Sequence, residues 1–259
     1  MVSRRKFRQR RQCREAAPAP RTRSCAHPAA VVRQLGCVDV RGRSDVLREL
    51  ASALIDLQRE HPLRVAVDGI TASGKSTLAD ELADEVIRQG RPVIRIRMDD
   101  FHHPRAYRYR QGKDSARGYY ADAYDFESLY AHVLKPLGPE GDRRYRSRII
   151  DLESDAPIED PPESAAPDAI LIADGSFMQR HHRDDWDGVV FVDTSFPEAL
   201  RRGIERDGPQ FGGAAAAEQR YAQRYHAASR MYVDEVDPAR CADFVVDNDD
   251  PAHPQLHRR

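Results

Sequence analysis

Residues 69–77 read GITASGKST, and the apolar run 63–68, LRVAVD, leads directly into them. This is the phosphate-binding pattern G-x-x-x-x-G-K-[S/T]. Gly69 and Gly74 permit backbone angles that a side chain disfavours, so successive N–H groups can surround phosphate oxygens. Lys75 is placed to reach the outer phosphates, and the Ser76 hydroxyl is placed to ligate Mg²⁺ at the positive end of a helix. The stretch predicts a nucleoside triphosphate site formed by Gly69, Ile70, Thr71, Ala72, Ser73, Gly74, Lys75, Ser76 and Thr77.

The flanking sequence supports this interpretation over that of a Gly-rich turn before an ordinary helix. An apolar strand precedes the motif, and Leu78, Leu82 and Val86 follow it at helical spacing before Gly90. The chain also has only four lysines, at positions 6, 75, 113 and 135, whereas arginine fills nearly every other cationic position. Because lysine is rare in this chain, its presence at position 75 is not explained by the amino-acid composition.

The charge is divided unevenly along the chain. Residues 1–43 carry twelve basic residues against Glu15 and Asp39, a net charge of +10, so the total of −1 leaves −11 for residues 44–259. Residues 1–43 also contain Ala and Pro clusters and little apolar periodicity, which predicts a disordered basic tail. The domain boundary is expected after Arg43, with a single domain over 44–259.

Three interpretations of the tail are open: an organelle transit peptide, a weak nucleic-acid-binding arm, or an upstream stretch included by a wrongly chosen start codon. The last is favoured, because the tail has neither an amphipathic pattern nor interleaved aromatic residues for stacking on bases. No secretory signal and no apolar stretch of membrane-spanning length is present in the sequence. Its four cysteines have no metal-site or disulfide spacing, so a reducing cytoplasm is expected, and nucleic acid and membranes are not expected as main partners.

Strand-like and helical segments alternate after the tail. Buried strands are predicted at 63–68, 93–98, 169–173, 189–192 and 242–246, and helices are predicted after the capping residues Ser44, Asp125 and Ser195 and over about 214–232. Residues 104–124 are predicted to be irregular, 142–152 to hold a short strand or hairpin, and 156–167 to be a linker. The pattern predicts an α/β fold with a parallel sheet of about five strands flanked by helices.

Carboxylates follow three of these strands. Ligands bind at the carboxyl ends of parallel strands, so Asp99, Asp100 and Asp174 are expected to lie beside the phosphate-binding loop. Aspartates at strand ends are often only turn formers, but three beside a triphosphate site favour Mg²⁺ ligation and base catalysis. Spacing alone does not rank Asp99 against its neighbour Asp100.

Several motifs in this order resemble the uridine kinase and phosphoribulokinase group of P-loop kinases, and most closely bacterial proteins that are labelled uridine kinase-like. The similarity runs from about Leu63 to Asn248. The motifs are GITASGKST, Asp99 with Phe101, Asp122-Ala123-Tyr124-Asp125, Asp174-Gly175, Arg202-x-x-x-Arg206-Asp207 and Ala242-Asp243-Phe244-Val245-Val246.

The resemblance implies a P-loop kinase fold with a helical lid, and it implies roles for individual residues. Asp99 would accept the proton of the substrate hydroxyl and lie near the metal, and Asp174, where uridine kinases usually carry Glu, would hold Mg²⁺ with Ser76. Arg202 and Arg206 would belong to the lid, as catalytic residues with Lys75 and Asp99, and Arg220, Arg224 and Arg230 could extend its basic surface.

The chain departs from the family at the acceptor. Pyrimidine-nucleoside kinases carry a Phe-Asp-His-Pro stretch whose Asp binds ribose, whereas this chain has Gly118-Tyr119-Tyr120-Ala121. The segment that contacts the base is replaced by Ile150-Asp151-Leu152-Glu153, without a histidine. Four arginines, at positions 105, 108, 110 and 117, would suit an anionic acceptor, although such a run is usually a solvated face.

The sequence thus predicts an Mg²⁺-dependent kinase that uses ATP (or GTP) to phosphorylate a hydroxyl of a small molecule, nominally uridine or cytidine. A kinase for another polar acceptor, such as a sugar phosphate or a vitamin precursor, is the alternative enzyme. A non-catalytic nucleotide-dependent switch is the alternative of another class, and the absence of an Asn-Lys-x-Asp segment disfavours a GTP switch. The sequence does not predict the oligomeric state.

Overall fold

A computed structural model describes residues 42–259, and the expected disorder of the tail lies almost entirely outside this range. Within it, the strands are β1 Leu63–Gly69, β2 Val93–Arg97, β3 Arg144–Tyr145, β4 Glu163–Ser164, β5 Ile170–Gly175, β6 Gly188–Asp193, β7 Phe244–Asp247 and β8 Gln255–Arg258. Six of them form one sheet in the order β2-β5-β1-β6-β7-β8, and β3 pairs with β4.

The central strand β1 is fully buried and lies between β5 and β6, both parallel to it. Strands β2 and β7 are also parallel to their neighbours, so the five predicted strands and the parallel α/β fold are confirmed. The sixth strand, β8, pairs antiparallel with β7 at the edge of the sheet. The prediction of about five strands omitted it because its sequence, QLHR, is polar and largely exposed.

Helices cover both faces of the sheet. The α-helices of residues 42–259 are α1 Arg43–Ile55, α2 Lys75–Arg88, α3 Arg105–Arg108, α4 Ala116–Asp122, α5 Phe126–Leu129, α6 Lys135–Leu137, α7 Phe196–Phe211, α8 Ala214–Arg220, α9 His226–Val236 and α10 Pro238–Cys241. Two π-helical segments, Tyr130–Leu134 and Tyr221–Tyr225, join α5 to α6 and α8 to α9. In the described part of the chain, no helix has both the length and the apolar character of a membrane span.

The first helix begins earlier than predicted. Arg43 is its first residue and Gly42 precedes it, so Ser44 lies inside the helix and does not cap it. The side chain of Arg43 donates to Glu81 (2.5 Å), to Asn248 (3.1 Å) and to the carbonyl oxygen of Pro251 (3.1 Å). Arg43, the residue after which the domain was predicted to begin, is thus itself hydrogen-bonded to the domain.

Two segments predicted to lack regular structure contain some. Residues 104–124 form the short helices α3 and α4, the second capped by Ser115, and within the expected linker 156–167 the strand β4 pairs with β3. Apolar periodicity does not reveal these elements because α3 and α4 are short and β4 has only two residues, whereas β3 lies within 142–152, where a short strand or hairpin was predicted. The caps predicted at Asp125 and Ser195 are confirmed, since each side chain accepts a backbone N–H three residues later.

The sheet separates two hydrophobic clusters. One packs α1 and α2 on β1 and β5 through residues such as Leu50, Leu82 and Val65. The other lies on the opposite face and contains Met98, Phe101, Phe177 and Tyr232 with α4 to α6 and α9. The ends of β1 and β5, which lead into the loop and Asp174, are thus supported by a packed core on both faces of the sheet.

Helices α7 and α8 form a hairpin next to the sheet. A Cβ at Gly203 would lie 2.2 Å from the ring of Tyr221, so only glycine allows this close approach. The Tyr221 hydroxyl donates to Asp207 (2.7 Å) and accepts from Arg206 (3.1 Å). This packing fixes the position of the hairpin that the family resemblance designates as the lid.

Candidate active site

The phosphate-binding loop connects β1 to α2. Gly74 precedes α2 with a left-handed φ of 90°, and a Cβ there would lie 2.8 Å from the side-chain nitrogen of Asn248. Both the backbone angle and the space therefore require glycine at this position. Helix α2 begins at Lys75, so the positive end of its dipole lies at the loop, as the motif predicts.

The carbonyl oxygen of Ser73 holds the loop from behind. It accepts hydrogen bonds from the Thr194 hydroxyl (3.0 Å), the Asn248 amide (2.8 Å) and the Arg202 guanidinium (3.3 Å). Thr194 follows β6, Asn248 follows β7 and Arg202 lies on α7. Because one buried carbonyl is bound by three separate elements, the conformation of the loop depends on the whole sheet edge.

Lys75 lies between the loop and the acidic strand ends. Its Nζ donates to the carbonyl oxygen of Ile70 (3.3 Å). Burial lowers the pKa of Lys75, and the nearby carboxylates of Asp174, Asp99 and Asp68 oppose that shift. The ammonium group is half-buried, which strengthens its interaction with an anionic ligand relative to a fully solvated lysine.

Two side chains with oxygen atoms that could ligate Mg²⁺ lie beside Lys75. The Ser76 hydroxyl donates to Asp174 Oδ2 (2.5 Å), and the Arg95 guanidinium donates to Oδ1 of the same carboxylate (2.7 Å). Among the described residues no group of three His, Cys, Asp or Glu side chains could hold a metal by itself. Mg²⁺ usually binds one or two protein oxygens together with phosphate and water oxygens, so the Ser76 and Asp174 pair fits that ion.

The two adjacent aspartates after β2 face different surroundings. Asp99 lines the cavity beside the loop, and its Oδ1 accepts a hydrogen bond from the Tyr124 hydroxyl (3.3 Å). Asp100 does not line this cavity, and its backbone carbonyl accepts from the N–H of Ile149. Burial, with the charge of Asp99, raises the pKa of Asp100. The geometry favours Asp99 over Asp100 as the residue in contact with a ligand.

The two predicted lid arginines also differ. Arg206 lines the cavity and forms a bidentate ion pair with Asp207, with N–O distances of 2.7 and 2.9 Å. Arg202 does not line the cavity; besides Ser73 it contacts Glu198 and the carbonyl oxygens of Asn248 and Asp249. Its contacts hold the loop and the chain after β7, which is a positioning role.

A buried aspartate that sequence analysis missed lies behind the loop. Asp68 ends the predicted strand and accepts hydrogen bonds from Gly69, Met178, Gln179 and the Tyr232 hydroxyl. Burial raises the pKa of Asp68. Its partners come from helix α9 and from the segment after β5, so it ties the loop to the face of the sheet that α9 covers. The sequence offered no signal for this role beyond the position of Asp68.

The loop, the strand ends and the lid hairpin enclose one cavity of about 390 Å³. Next to the predicted residues, its wall includes several side chains that sequence analysis did not assign to an acceptor site: His102, Tyr109, Tyr119, Leu152, Tyr221, Arg224 and Tyr225. Of the four arginines that seemed suited to an anionic acceptor, only Arg108 lines it. Arg220 and Arg230, proposed with Arg224 as basic lid surface, lie outside it.

The comparisons with known proteins agree with this geometry. No protein-family model matches the chain. Uridine-cytidine kinase B of Dictyostelium discoideum is 29% identical over 150 residues, which are 57% of this chain and 59% of that protein. The chain therefore matches less than two thirds of this relative's length.

Solved structures extend the similarity to most of the domain. A structure described as a possible uridine kinase from Bacillus stearothermophilus has a TM-score of 0.62 and 25% identity, covering 78% of this chain and 97% of its own. The structure of the YGR205w protein has a TM-score of 0.58 at 12% identity, covers 85% and 99% respectively, and is similar in fold alone. The P-loop kinase fold and the resemblance to the uridine kinase group are thus confirmed.

Proposed function

We propose that this chain is a kinase that transfers the γ-phosphoryl group of ATP to a hydroxyl of a small molecule bound in the cavity. The observation that carries the proposal is the convergence on one cavity of Lys75, the pair of Ser76 and Asp174, and the carboxylate of Asp99. They come from three segments, the start of α2, the end of β5 and the turn after β2, and phosphoryl transfer needs this combination of charge neutralisation and positioning.

The roles of the residues follow from their chemistry. The loop and Lys75 bind the β- and γ-phosphates, and Ser76 with Asp174 would hold Mg²⁺, which neutralises phosphate charge. Asp99 accepts the proton of the acceptor hydroxyl while the oxygen of that hydroxyl forms a bond to the γ-phosphorus. The bond between that phosphorus and the bridging oxygen of ADP breaks, and Arg206 stabilises charge on the transferred group.

The identity of the acceptor belongs to the proposal. Uridine and cytidine are the nominal acceptors, since the similar proteins include a uridine-cytidine kinase and a possible uridine kinase. The wall of the cavity supports the alternative of another polar acceptor, because it contains Tyr119 and Leu152 where nucleoside kinases carry ribose- and base-binding residues. We also propose a cytoplasmic location, which the spacing of the cysteines favours.

ADP release from the full-length protein tests the proposal. ATP and Mg²⁺ are supplied with uridine, cytidine, sugars, sugar phosphates or pantothenate in turn, and ADP is measured by a coupled assay. We expect at least one compound to raise ADP release well above the rate without acceptor. Nucleotide binding with no acceptor-dependent release would favour the switch module instead.

A further inference from the structure

Arg224 is a cation of the cavity wall that the proposed phosphoryl transfer does not use. Arg224 lies in the π-helical segment between α8 and α9, and only 7% of its surface is exposed. Local π-helical turns are frequent at functional sites. Its guanidinium carbon lies 5.1 Å from the ring centre of Tyr119, 5.2 Å from that of Tyr225 and 5.5 Å from that of Tyr109. Three aromatic rings therefore surround a charged group next to the ligand space.

The other arginines of the wall have carboxylate partners. Arg108 pairs with Asp155 (2.9 Å), Arg206 with Asp207 (2.7 Å) and Arg97 with Asp80 (3.3 Å). Within residues 42–259, Arg224 makes no ion pair, and its buried Nε has no hydrogen-bond partner. A buried cation without an anion is unfavourable, and contacts with aromatic rings offset only part of that cost.

The neighbouring side chains respond to this uncompensated charge. Burial alone would raise the pKa of Tyr109, but the hydrogen bonds and charges of Arg108 and Arg224 outweigh it and lower that pKa. The pKa of His102 is lowered mainly by burial, with a contribution from the same two arginines. Four arginines line the cavity, and Arg224 is the one among them that has no ion-pair partner within residues 42–259.

A short chain of contacts connects Arg224 to the proposed base. Arg224 packs on Tyr119, the Tyr119 and Tyr124 hydroxyls are 3.1 Å apart, and Tyr124 donates to Asp99. Because Asp99 and Arg224 line the same cavity, a molecule bound there can face both groups. Guanidinium groups bind carboxylates and phosphates in a bidentate manner.

We propose that the acceptor is an anionic alcohol, with a carboxylate or phosphate group that binds Arg224 while its hydroxyl faces Asp99. This inference rests on the proposed kinase function and specifies its substrate class. A neutral nucleoside leaves Arg224 without a counter-charge, and it is therefore a poorer acceptor.

The test compares acceptors that differ in one charged group. The pairs are D-glycerate with glycerol, pantothenate with pantothenyl alcohol, and ribulose 5-phosphate with ribulose, and uridine is included as a neutral nucleoside. We expect at least one anionic member to exceed both its neutral partner and uridine by about tenfold to a hundredfold in kcat/KM, the usual effect of a charge-assisted hydrogen bond.

Two variants of Arg224 and one control test whether this residue causes the preference for the anionic acceptor. Arg224→Gln is expected to reduce the ratio of kcat/KM between the anionic and the neutral acceptor to about threefold or less, mainly through a higher KM of the anionic acceptor. Arg224→Lys is expected to retain part of it. Arg230→Gln removes the same charge from an exposed position one and a half turns further along the chain, and it should preserve the ratio. Thermal melting shows whether Arg224→Gln folds. If it does not fold, the inference is judged from the kcat/KM ratios of the wild type and of Arg224→Lys.

The outcomes separate the two proposals. Preference for uridine or for the neutral partners, or a ratio unchanged in a folded Arg224→Gln, overturns the anionic acceptor and leaves the kinase function in place. If no compound stimulates ADP release, the kinase function fails, and calorimetric titration with the same compounds in the presence of ADP decides the inference. Tighter binding of an anionic member that is lost in Arg224→Gln supports it, and equal binding within every pair overturns it.

Discussion

The side-chain amide of Asn248 donates a 2.8 Å hydrogen bond to the backbone carbonyl of Ser73, 175 residues earlier in the chain. Its side-chain oxygen accepts from Arg43 (3.1 Å), the first residue of α1. The start of the domain is thereby connected to the phosphate-binding loop through one buried amide. A shortened chain must therefore keep Arg43.

We expect a chain that begins at Gly42 to keep the melting temperature and activity of the full-length protein. The further change Arg43→Ala should lower its stability by about 1–2 kcal/mol, because Arg43 makes three hydrogen bonds to the domain. Thermal and urea unfolding measure the difference. Arg48→Ala, which removes an exposed arginine of the same helix, is the control, and equal effects of the two changes would contradict the role of Arg43.

Lys75→Ala should abolish ATP-dependent phosphoryl transfer while the domain remains folded. The lysine has no role in the hydrophobic clusters, and loss of one charge-stabilising contact typically lowers the rate by about a hundredfold or more. The rate of ADP release with the best acceptor is the measurement, with circular dichroism to verify folding. The matched control is Lys135→Ala, at an exposed position. A Lys75→Ala protein with wild-type turnover would remove the phosphate-binding interpretation.

Replacement of the two adjacent aspartates should have unequal effects. Asp99→Asn keeps an oxygen for the Tyr124 hydrogen bond but removes the base, so turnover should fall by about a hundredfold or more while nucleotide affinity stays nearly unchanged. Asp100→Asn should stay within about threefold of wild type, since Asp100 lies outside the cavity lining. Single-turnover kinetics and nucleotide titration measure both effects. An inactive Asp100 variant beside an active Asp99 variant would reverse the assignment.

Two glycines of α7 provide a matched pair for the packing of the lid hairpin. Gly203→Ala should destabilise the protein by about 1–3 kcal/mol, because the new Cβ would lie 2.2 Å from the Tyr221 ring. Activity should fall as well, since Tyr221 lines the cavity. Gly208→Ala meets its nearest neighbour only at 3.8 Å and should be neutral or slightly stabilising. Urea denaturation compares the two, and a similar stability of both variants would show that the hairpin does not pack as described.

Stability should decrease on acidification in a way that depends on His226. Its ring lies between Phe196 and Tyr221, and burial lowers its pKa below the ordinary value of 6.5. The unfolded chain therefore binds the proton more readily. The contribution of His226 is fully present above pH 6.5 and is lost as the pH falls through the lower pKa of the folded state.

The variant His226→Gln tests this dependence through urea unfolding between pH 7 and pH 5. The slope of the unfolding free energy against pH should become smaller, by at most about 1.4 kcal/mol per pH unit for one proton. Comparison of slopes cancels the effect of Asp68, whose raised pKa acts in the opposite direction in both proteins. His253→Gln, at an exposed site, should leave the slope unchanged. Equal slopes in wild type and His226→Gln would disprove the assignment.

The sequence alone determined the elements with strong local signals. The motif at 69–77 requires glycines, a lysine and a hydroxyl at fixed spacing, and the five predicted strands are short segments rich in apolar residues. Their order along the chain predicts a parallel sheet, and that prediction brings Asp99 and Asp174 to one edge beside the loop. A short strand was predicted within 142–152, where β3 lies, but its partner β4 and the polar edge strand β8 were missed, because their pairing depends on the tertiary fold.

Only the tertiary structure decided how individual side chains of the site are used. Arg202, Arg206 and Arg224 are indistinguishable as cations on predicted helices, yet Arg202 holds the Ser73 carbonyl and Arg206 pairs with Asp207 in the cavity wall. Arg224 lies among three aromatic rings and has no counter-charge among residues 42–259. The same holds for Asp99 and Asp100. Local sequence specifies a residue type and the periodicity of its element, whereas burial and partners arise when segments distant in the chain pack together, and these set the charge and exposure of each group.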